Sequence, residues 1–232
     1  MKYKFSKTVV VALGGSIVHP DGIDVEFLKK FKKFLAPFLR RGTKFVLVIG
    51  GGKLSRNFQE AAARVSRTVT DEDKDWIGIH ATRLNAHLLR TIFRDVADPV
   101  VMDERGKIKK LRAPVTIASG WKPGWSTDYV AMRIAADLGA GEAVIAGKPA
   151  HVYDKDHAKY ADAVPFHMLT WREYRRLIPA KWKPGLHAPV DPVGAALGAR
   201  EGIRAIIIDG RNMRNFAALL NGKEFKGTII GA

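Results

Sequence analysis

The stretches TVVVALGGS (residues 8–16) and KFVLVIGGG (residues 44–52) decide the fold class. Each is an unbroken apolar run that ends in glycines, which is typical of a strand buried on both faces and followed by a tight turn. Between them, residues 25–39 carry apolar side chains at helical spacing, and Asp24 precedes them as a candidate N-cap. Such a strand–helix–strand unit predicts an α/β protein with parallel strands.

The same alternation continues along the chain. Further helices are predicted at 54–65, 76–94, 128–138, 192–201 and 216–220, and further strands at 99–102, 114–118, 143–146 and 205–208. We therefore expect a three-layer αβα sandwich with a central, mostly parallel sheet, formed as a single domain. Residues 153–186 are rich in Lys, Trp, Pro and His, and we expect them to form an excursion from the sheet.

Composition limits the classes of function. The 232 residues include 39 Lys+Arg against 23 Asp+Glu, a formal charge of +16, and no Cys. The absence of Cys excludes disulfides, thiol catalysis and Cys-ligated zinc, and the seven histidines show no zinc-binding spacing. No apolar run reaches the ~18 residues of a membrane-spanning helix. The charge favours anionic partners, and without an aromatic–basic signature nucleic acid is the lesser alternative to a nucleotide.

Two glycine-rich strand ends are candidate phosphate sites. Gly14-Gly15-Ser16 can expose backbone N–H groups to an anion, although an ordinary tight turn would have the same sequence. Gly50-Gly51-Gly52 leads into a helix with Lys53 and Arg56 in its first turn. Basic residues there oppose the helix dipole and indicate a bound phosphate, which Arg56 could hold in a bidentate manner. The spacing is neither that of a Walker A motif nor GxGxxG.

A third segment, SGWKPGWSTD (residues 119–128), follows another predicted strand. Thr127 or Asp128 could cap the next helix, or Asp128 could orient a cation or a metal ion. Three such strand ends in one parallel sheet predict more than one phosphate subsite. Facing phosphate subsites are the arrangement that a phosphoryl-transfer enzyme requires.

The order of these segments resembles the amino-acid kinase superfamily and, within it, the uridylate (UMP) kinases of archaeal or prokaryotic type. The similarity covers nearly the whole chain. It is carried by VVVALGGSIV (9–18), VIGGGKLSRNFQEAA (48–62), DWIGIHATRLNAHLL (75–89), SGWKPGWSTDYVAM (119–132), HVYDKD (151–156), PVDPVGA (189–195) and GTII (227–230).

The resemblance implies an activity and an organisation. The activity is Mg²⁺-dependent transfer of the γ-phosphoryl group of ATP to UMP, in the cytoplasm, as a step of pyrimidine nucleotide biosynthesis. Residues 1–140 would form an acceptor lobe and residues 141–232 a nucleotide-donor lobe. A homohexamer built from dimers is implied, whereas a metal site made by the protein alone is not.

The resemblance also assigns roles to residues. Gly14, Gly15 and Ser16 would hold the transferring phosphates, Gly15 and Ser16 as part of the ATP site, and Asp128 would be the organising carboxylate. Tyr153 and Asp156 would contact the base and ribose of ATP. The UMP site would comprise Gly51, Gly52, Arg56, Asp75, Gly78, Thr82, Gly120 and Thr127, with Asp75 on the ribose.

Two departures from the family pattern concern the donor side. Ala12 stands where many members have a catalytic lysine, so Lys7 or Lys53 could supply the charge instead. The family segment TNVDGVY reads GKPAHVY at residues 147–153. Two alternatives therefore remain. One is a sister kinase for another small phosphate, such as isopentenyl phosphate, and the other is a non-catalytic nucleotide-binding regulator.

Overall fold

The computed structural model describes residues 2–183 and 188–231. Its strands are β1 (Thr8–Leu13), β2 (Lys44–Ile49), β3 (Val115–Ala118), β4 (Glu142–Gly147), β5 (Val152–Tyr153), β6 (Pro165–Phe166), β7 (Met168–Leu169), β8 (Arg204–Asp209) and β9 (Thr228–Ile230). Its helices are α1 (Gly15–Val18), α2 (Val25–Arg40), α3 (Gly52–Val65), α4 (Asp71–Ile92), α5 (Thr127–Asp137), α6 (Trp171–Leu177), α7 (Pro192–Glu201) and α8 (Met213–Leu220). Within these ranges no helix is both long enough and apolar enough to cross a bilayer.

A seven-stranded sheet has the order β3-β2-β1-β4-β8-β9-β7. The first five strands are parallel to one another; for example, Val10 of β1 lies between Val46 of β2 and Ala143 of β4. β9 runs antiparallel to β8, and the edge strand β7 runs parallel to β9. The predicted mostly parallel sheet is confirmed, and β5 and β6 form a separate antiparallel pair.

Helices cover both faces of this sheet. Val9 and Val11 of β1 pack with α2, α4 and α8, whereas Val10 and Ala12 pack with α5, α6 and α7. Because successive strand residues point to opposite faces, a strand covered on both sides must be apolar at every position. This explains the unbroken TVVVAL run and confirms the three-layer αβα sandwich.

Helix starts follow their capping residues. The carboxylate of Asp24 accepts a hydrogen bond from the Phe27 N–H at 2.9 Å, so the predicted cap of α2 is confirmed. In contrast, α4 begins five residues before its predicted start, because Thr70 and Asp73 form a capping box ahead of the apolar stripe. The cap of α5 is Ser126, not Thr127 or Asp128.

The predicted strand at 99–102 is wrong. Isolated bridges join Ala97 to Val115 and Met102 to Ala118, but no ladder connects them. The carboxylate of Asp98 accepts from the Val100 N–H at 2.9 Å, and Pro99 has no N–H to donate. The local turn therefore replaces strand pairing.

The predicted excursion at 153–186 is only partly correct. The segment contains β6, which pairs with β5 outside the main sheet, and it contains α6. In contrast, β7 belongs to the main sheet and forms its edge strand. Residues 184–186 lie outside the described part of the chain.

Candidate active site

The candidate site is a cleft at the carboxyl ends of the parallel strands. β2 and β3 lie on one side of β1 and β4 lies on the other, so the strand order reverses at β1. Ligands of open α/β sheets bind at such switch points. A cavity of about 890 Å³ occupies this position. Its lining includes every residue to which the family resemblance gave a role: Gly14, Gly15, Ser16, Gly51, Gly52, Arg56, Asp75, Gly78, Thr82, Gly120, Thr127, Asp128, Tyr153 and Asp156.

The first two glycine loops contact each other through their main chains. A Cβ on Gly15 would lie 2.1 Å from the Gly52 nitrogen, and a Cβ on Gly52 would lie 2.3 Å from the Gly15 oxygen. Gly52 also has a φ of +67°, which disfavours other residues. Glycine at both positions is therefore required for the two loops to approach so closely.

Asn85 holds the second glycine loop from behind. Its side-chain amide, 2% exposed on α4, donates to the carbonyl oxygens of Gly50 at 2.9 Å and Gly51 at 3.1 Å. Carbonyls held in this way turn away from an incoming anion. Sequence reasoning missed Asn85, although an amide among the buried positions of a predicted helix was an available signal.

Thr82 joins α4 to the third strand-end loop. Its hydroxyl donates to the Ile79 oxygen at 2.6 Å and accepts from the Gly120 N–H at 2.8 Å. The hydroxyl is thus engaged within the protein while Thr82 lines the cavity. A direct contact of Thr82 with UMP stays a prediction.

The side chain of Arg56 lines the cavity from α3. It makes no ion pair with the residues that the structure describes. α3 has no acidic residue in its first turn, so the positive helix end is not neutralised by its own side chains. This end of the cleft is suited to a phosphate dianion.

Two aspartates, the buried Asp191 and the half-buried Asp128, line the cleft. Asp191 is 3% exposed, accepts the N–H groups of Val193 at 2.7 Å and Gly194 at 3.0 Å, and accepts the hydroxyl of Ser126. Burial raises the pKa of the Asp128 carboxyl well above its usual value, and the charge of Asp191 adds to the rise. Burial also raises the pKa of Asp191, against the effect of its hydrogen bonds. The two carboxyl groups therefore have too few cationic or hydrogen-bonding partners in the free protein to offset the cost of ionising both.

The raised pKa values predict how stability depends on pH. Groups whose pKa is raised by folding stabilise the protein below the pKa of the unfolded chain, about 4 for aspartate, and lose that contribution as the pH rises through the folded-state values. We expect Asp128→Asn to be more stable than the wild type without ligands, by a margin that grows as the pH rises from about 4. Denaturant unfolding at a series of pH values measures the margin, and a pH-independent margin would contradict the assignment.

Aromatic and imidazole rings line the other end of the cleft. The rings of Tyr153 and His157 stack with centroids 4.5 Å apart, and the ring of His151 lies edge-on to Tyr153 at 6.0 Å. Burial lowers the pKa of His151, which favours the neutral imidazole. Asp156 accepts the Ala158 N–H at 3.0 Å. Flat rings beside a carboxylate suit the base and sugar of a nucleotide.

The lysines that line the cleft are not the two that the sequence analysis suggested. Among the described residues, the lysines that line the cavity are Lys122, Lys148 and Lys155. Lys7 and Lys53, the residues suggested to supply the charge missing at Ala12, are not among them. Lys7 precedes β1, at the opposite end of the sheet, and Lys53 does not line the cavity.

Comparison with known proteins gives the same fold. The model of the amino acid kinase family matches residues 7–209. A uridylate kinase of Methanocorpusculum labreanum is 31% identical over 226 residues, covering 96% of this chain and 95% of that protein. A uridylate kinase of Pyrococcus abyssi is also 31% identical, with coverage of 96% and 98%. The crystal structure of uridylate kinase from Archaeoglobus fulgidus has a TM-score of 0.79 at 26% identity and covers 99% of this chain and 100% of that one.

Facing glycine loops at the switch point of a parallel sheet define a protein that handles phosphoryl groups. Together with the matches over nearly the whole chain, they establish that the chain belongs to the amino acid kinase family, and within it to the uridylate kinase family.

Proposed function

We propose that this protein is a UMP kinase, which transfers the γ-phosphoryl group of ATP to UMP and yields UDP and ADP. The observation that carries the proposal is that one cleft contains both kinds of binding surface. Arg56 lies in its anion-binding part, Tyr153 lies in its aromatic part, and Asp128 lines the same cleft. The uridylate kinases that match the whole chain support the same activity. The sequence-based alternatives, another small-phosphate kinase or a non-catalytic regulator, gain no support from these relatives.

Each part of the cleft then has a role. Gly51, Gly52 and Arg56 bind the phosphate of UMP, Asp75 its ribose, and Gly78, Thr82, Gly120 and Thr127 complete the acceptor site. Gly14, Gly15 and Ser16 hold the phosphates of ATP, and Tyr153 and Asp156 hold its base and ribose. Apart from the ATP-phosphate residues Gly14, Gly15 and Ser16, the chain up to about residue 140 forms the acceptor lobe, and the remainder forms the donor lobe.

Catalysis in this arrangement consists of positioning and charge neutralisation. The acceptor phosphate is already ionised at neutral pH, so the reaction needs no strong general base. The two glycine loops place the phosphates of donor and acceptor against each other, in line for transfer. Backbone N–H groups and the lining cations stabilise the charge that develops on the transferring group.

Mg²⁺ fits the site as an ion that arrives with ATP. The described residues contain no cluster of three or more metal-binding side chains. The carboxylate of Asp128 is a hard oxygen ligand, and Mg²⁺ commonly takes one or two carboxylates together with substrate phosphates. When bound, the ion would neutralise phosphate charge. Asp128 would hold it, and the nearby charge of Asp191 would add to the attraction for the ion.

The direct test is a UDP-formation assay with UMP, ATP and Mg²⁺, repeated with CMP and AMP as acceptors. We expect turnover that is selective for UMP. Absence of UDP formation, with UMP and ATP both in excess, would contradict the proposed function.

Arg56 should govern use of the acceptor. We expect Arg56→Ala to lower kcat/KM for UMP about 10²-fold, the effect of losing two charge-assisted hydrogen bonds, while the KM for ATP changes less than about twofold. Steady-state kinetics with each substrate varied gives both values. Arg64→Ala is the matched control, because Arg64 lies on the same helix and forms an exposed ion pair with Glu60. An equal loss in the two variants would contradict the role of Arg56.

We also propose that the protein acts in the cytoplasm and assembles with itself, as dimers that build a hexamer. An apolar groove between α2 and α4, lined in part by Ile23, Val25, Leu28, Leu88 and Ile92, supports self-association. Ile23 is 50% and Val25 53% exposed in the single chain. Sedimentation velocity measures the assembly state.

A further inference from the structure

A tryptophan from the second half of the chain reaches across the cleft to the acceptor side. Trp182 follows α6 and lines the cavity. Its indole N–H donates to the Oδ2 of Asp75, on α4, at 3.2 Å and across 107 positions of sequence. This hydrogen bond joins the segment after α6 to a residue of the proposed acceptor site.

The same oxygen of Asp75 has a second donor. The Gly124 N–H, in the loop between β3 and α5, donates to Oδ2 at 2.8 Å. Oδ1 accepts no hydrogen bond from the residues that the structure describes. Two separate segments therefore fix one oxygen of the carboxylate, and the other oxygen remains available on the wall of the cavity.

The chemistry of a carboxylate limits what Oδ1 can bind. An ionised carboxylate only accepts hydrogen bonds, and it repels a phosphate. The donors that UMP offers are its ribose hydroxyls and the N–H of uracil. With the phosphate at Arg56 and the glycine loop, the proposed role of Asp75 is to accept from the ribose.

We propose that Trp182 is a positioning residue for the acceptor nucleotide, because its indole N–H orients the Asp75 carboxylate so that Oδ1 meets a ribose hydroxyl. This inference rests on the proposed function. Without the indole donor, the carboxylate keeps a single hydrogen bond and can rotate about its side-chain torsions. The acceptor then has to order it on binding, which weakens binding and leaves the transfer step unchanged.

The test is Trp182→Phe, which keeps an aromatic ring and removes the N–H. We expect the KM for UMP and its Kd from calorimetry to rise about tenfold, as for loss of one hydrogen bond to a charged group, with kcat within about twofold of the wild type. With 2′-deoxy-UMP or 3′-deoxy-UMP, whichever lacks the contacted hydroxyl, the same substitution should change Kd less than about twofold. A purely structural role would affect all three nucleotides equally.

Two further variants make the test specific. Trp76→Phe is the matched control, since Trp76 is next to Asp75 on α4, 40% exposed and absent from the cavity wall. We expect it to leave the three Kd values unchanged. In an Asp75→Ala background, Trp182→Phe should have no further effect on UMP binding.

The outcomes separate the two claims. Equal losses for UMP and both deoxynucleotides, an unchanged Kd for UMP, or an additive loss in the double variant would each overturn the role of Trp182. UMP that binds without being phosphorylated would overturn the proposed function alone, because the calorimetric comparison still decides the role of Trp182. Absence of nucleotide binding to the wild type would overturn both.

Discussion

Replacing Asp128 by asparagine should lower kcat for UDP formation by about 10²- to 10³-fold, the usual effect of removing one preorganised electrostatic group. The amide keeps the size of the side chain but cannot become an anion. Burial and the charge of Asp191 raise the pKa of the wild-type Asp128 carboxyl, because both disfavour its ionised form. A cation that enters with ATP would stabilise the ionised form, and asparagine has no such form. Steady-state assays over a range of Mg²⁺ concentrations measure the loss.

The control for this variant lies on the same helix. Asp137 is at the other end of α5, where its carboxylate pairs with Arg105 at 2.8 Å and with Arg133 at 2.9 Å. Asp137→Asn should keep kcat within about twofold of the wild type, since Asp137 does not line the cavity. Asp128→Asn with near-wild-type turnover would show that Asp128 is not the organising carboxylate.

Gly52→Ala should abolish measurable turnover and lower the melting temperature. Its Cβ would lie 2.3 Å from the Gly15 oxygen and 2.7 Å from the His19 oxygen, so one of the two main chains must move. The positive φ adds about 1–2 kcal/mol of backbone strain. Because both loops line the cavity, the displacement should weaken binding of UMP and of ATP together. Calorimetry with each nucleotide and thermal unfolding give the separate effects.

Gly106→Ala is the control that separates the effect of backbone strain from the effect of the close contact between the two loops. Gly106 has a φ of +81° and no atom within 4 Å of an added Cβ. It should lose a few degrees of melting temperature, the effect of about 1–2 kcal/mol, and keep full activity. If Gly52→Ala behaved in the same way, the close contact of the two loops would not be needed for catalysis.

The glycine-ended strands were predictable because local sequence determines them. An apolar run buried on both faces has no polar alternation, and the glycines at its end mark the turn, so β1, β2 and the phosphate loops follow directly. The start of α4 was missed because apolar periodicity begins after the polar capping box of Thr70 and Asp73. Residues 99–102 look like a strand by composition, but the turn at Asp98 is decided by a local side-chain hydrogen bond.

Residues that act through distant contacts were harder to predict. Asp191 lies 65 positions from Ser126, and Trp182 lies 107 positions from Asp75, so neither pairing has a signature in local sequence. Asn85 meets the glycine loop only once α4 packs against the end of β2. The sequence predicted loops that line one cavity, whereas the fold determines which side chains support those loops.

The main-chain contact between the loops of Gly15 and Gly52 also bears on how such an enzyme can diverge. The close approach of the two glycine loops is made by main-chain atoms of Gly15 and Gly52, so side chains that hold neither loop can change without altering the distance between the loops. Ala12 in place of a lysine, and the replaced segment at residues 147–151, lie beside this fixed spacing. Residues that line the cavity on the side of β4 can therefore differ from the family pattern while the contact between the two loops is kept.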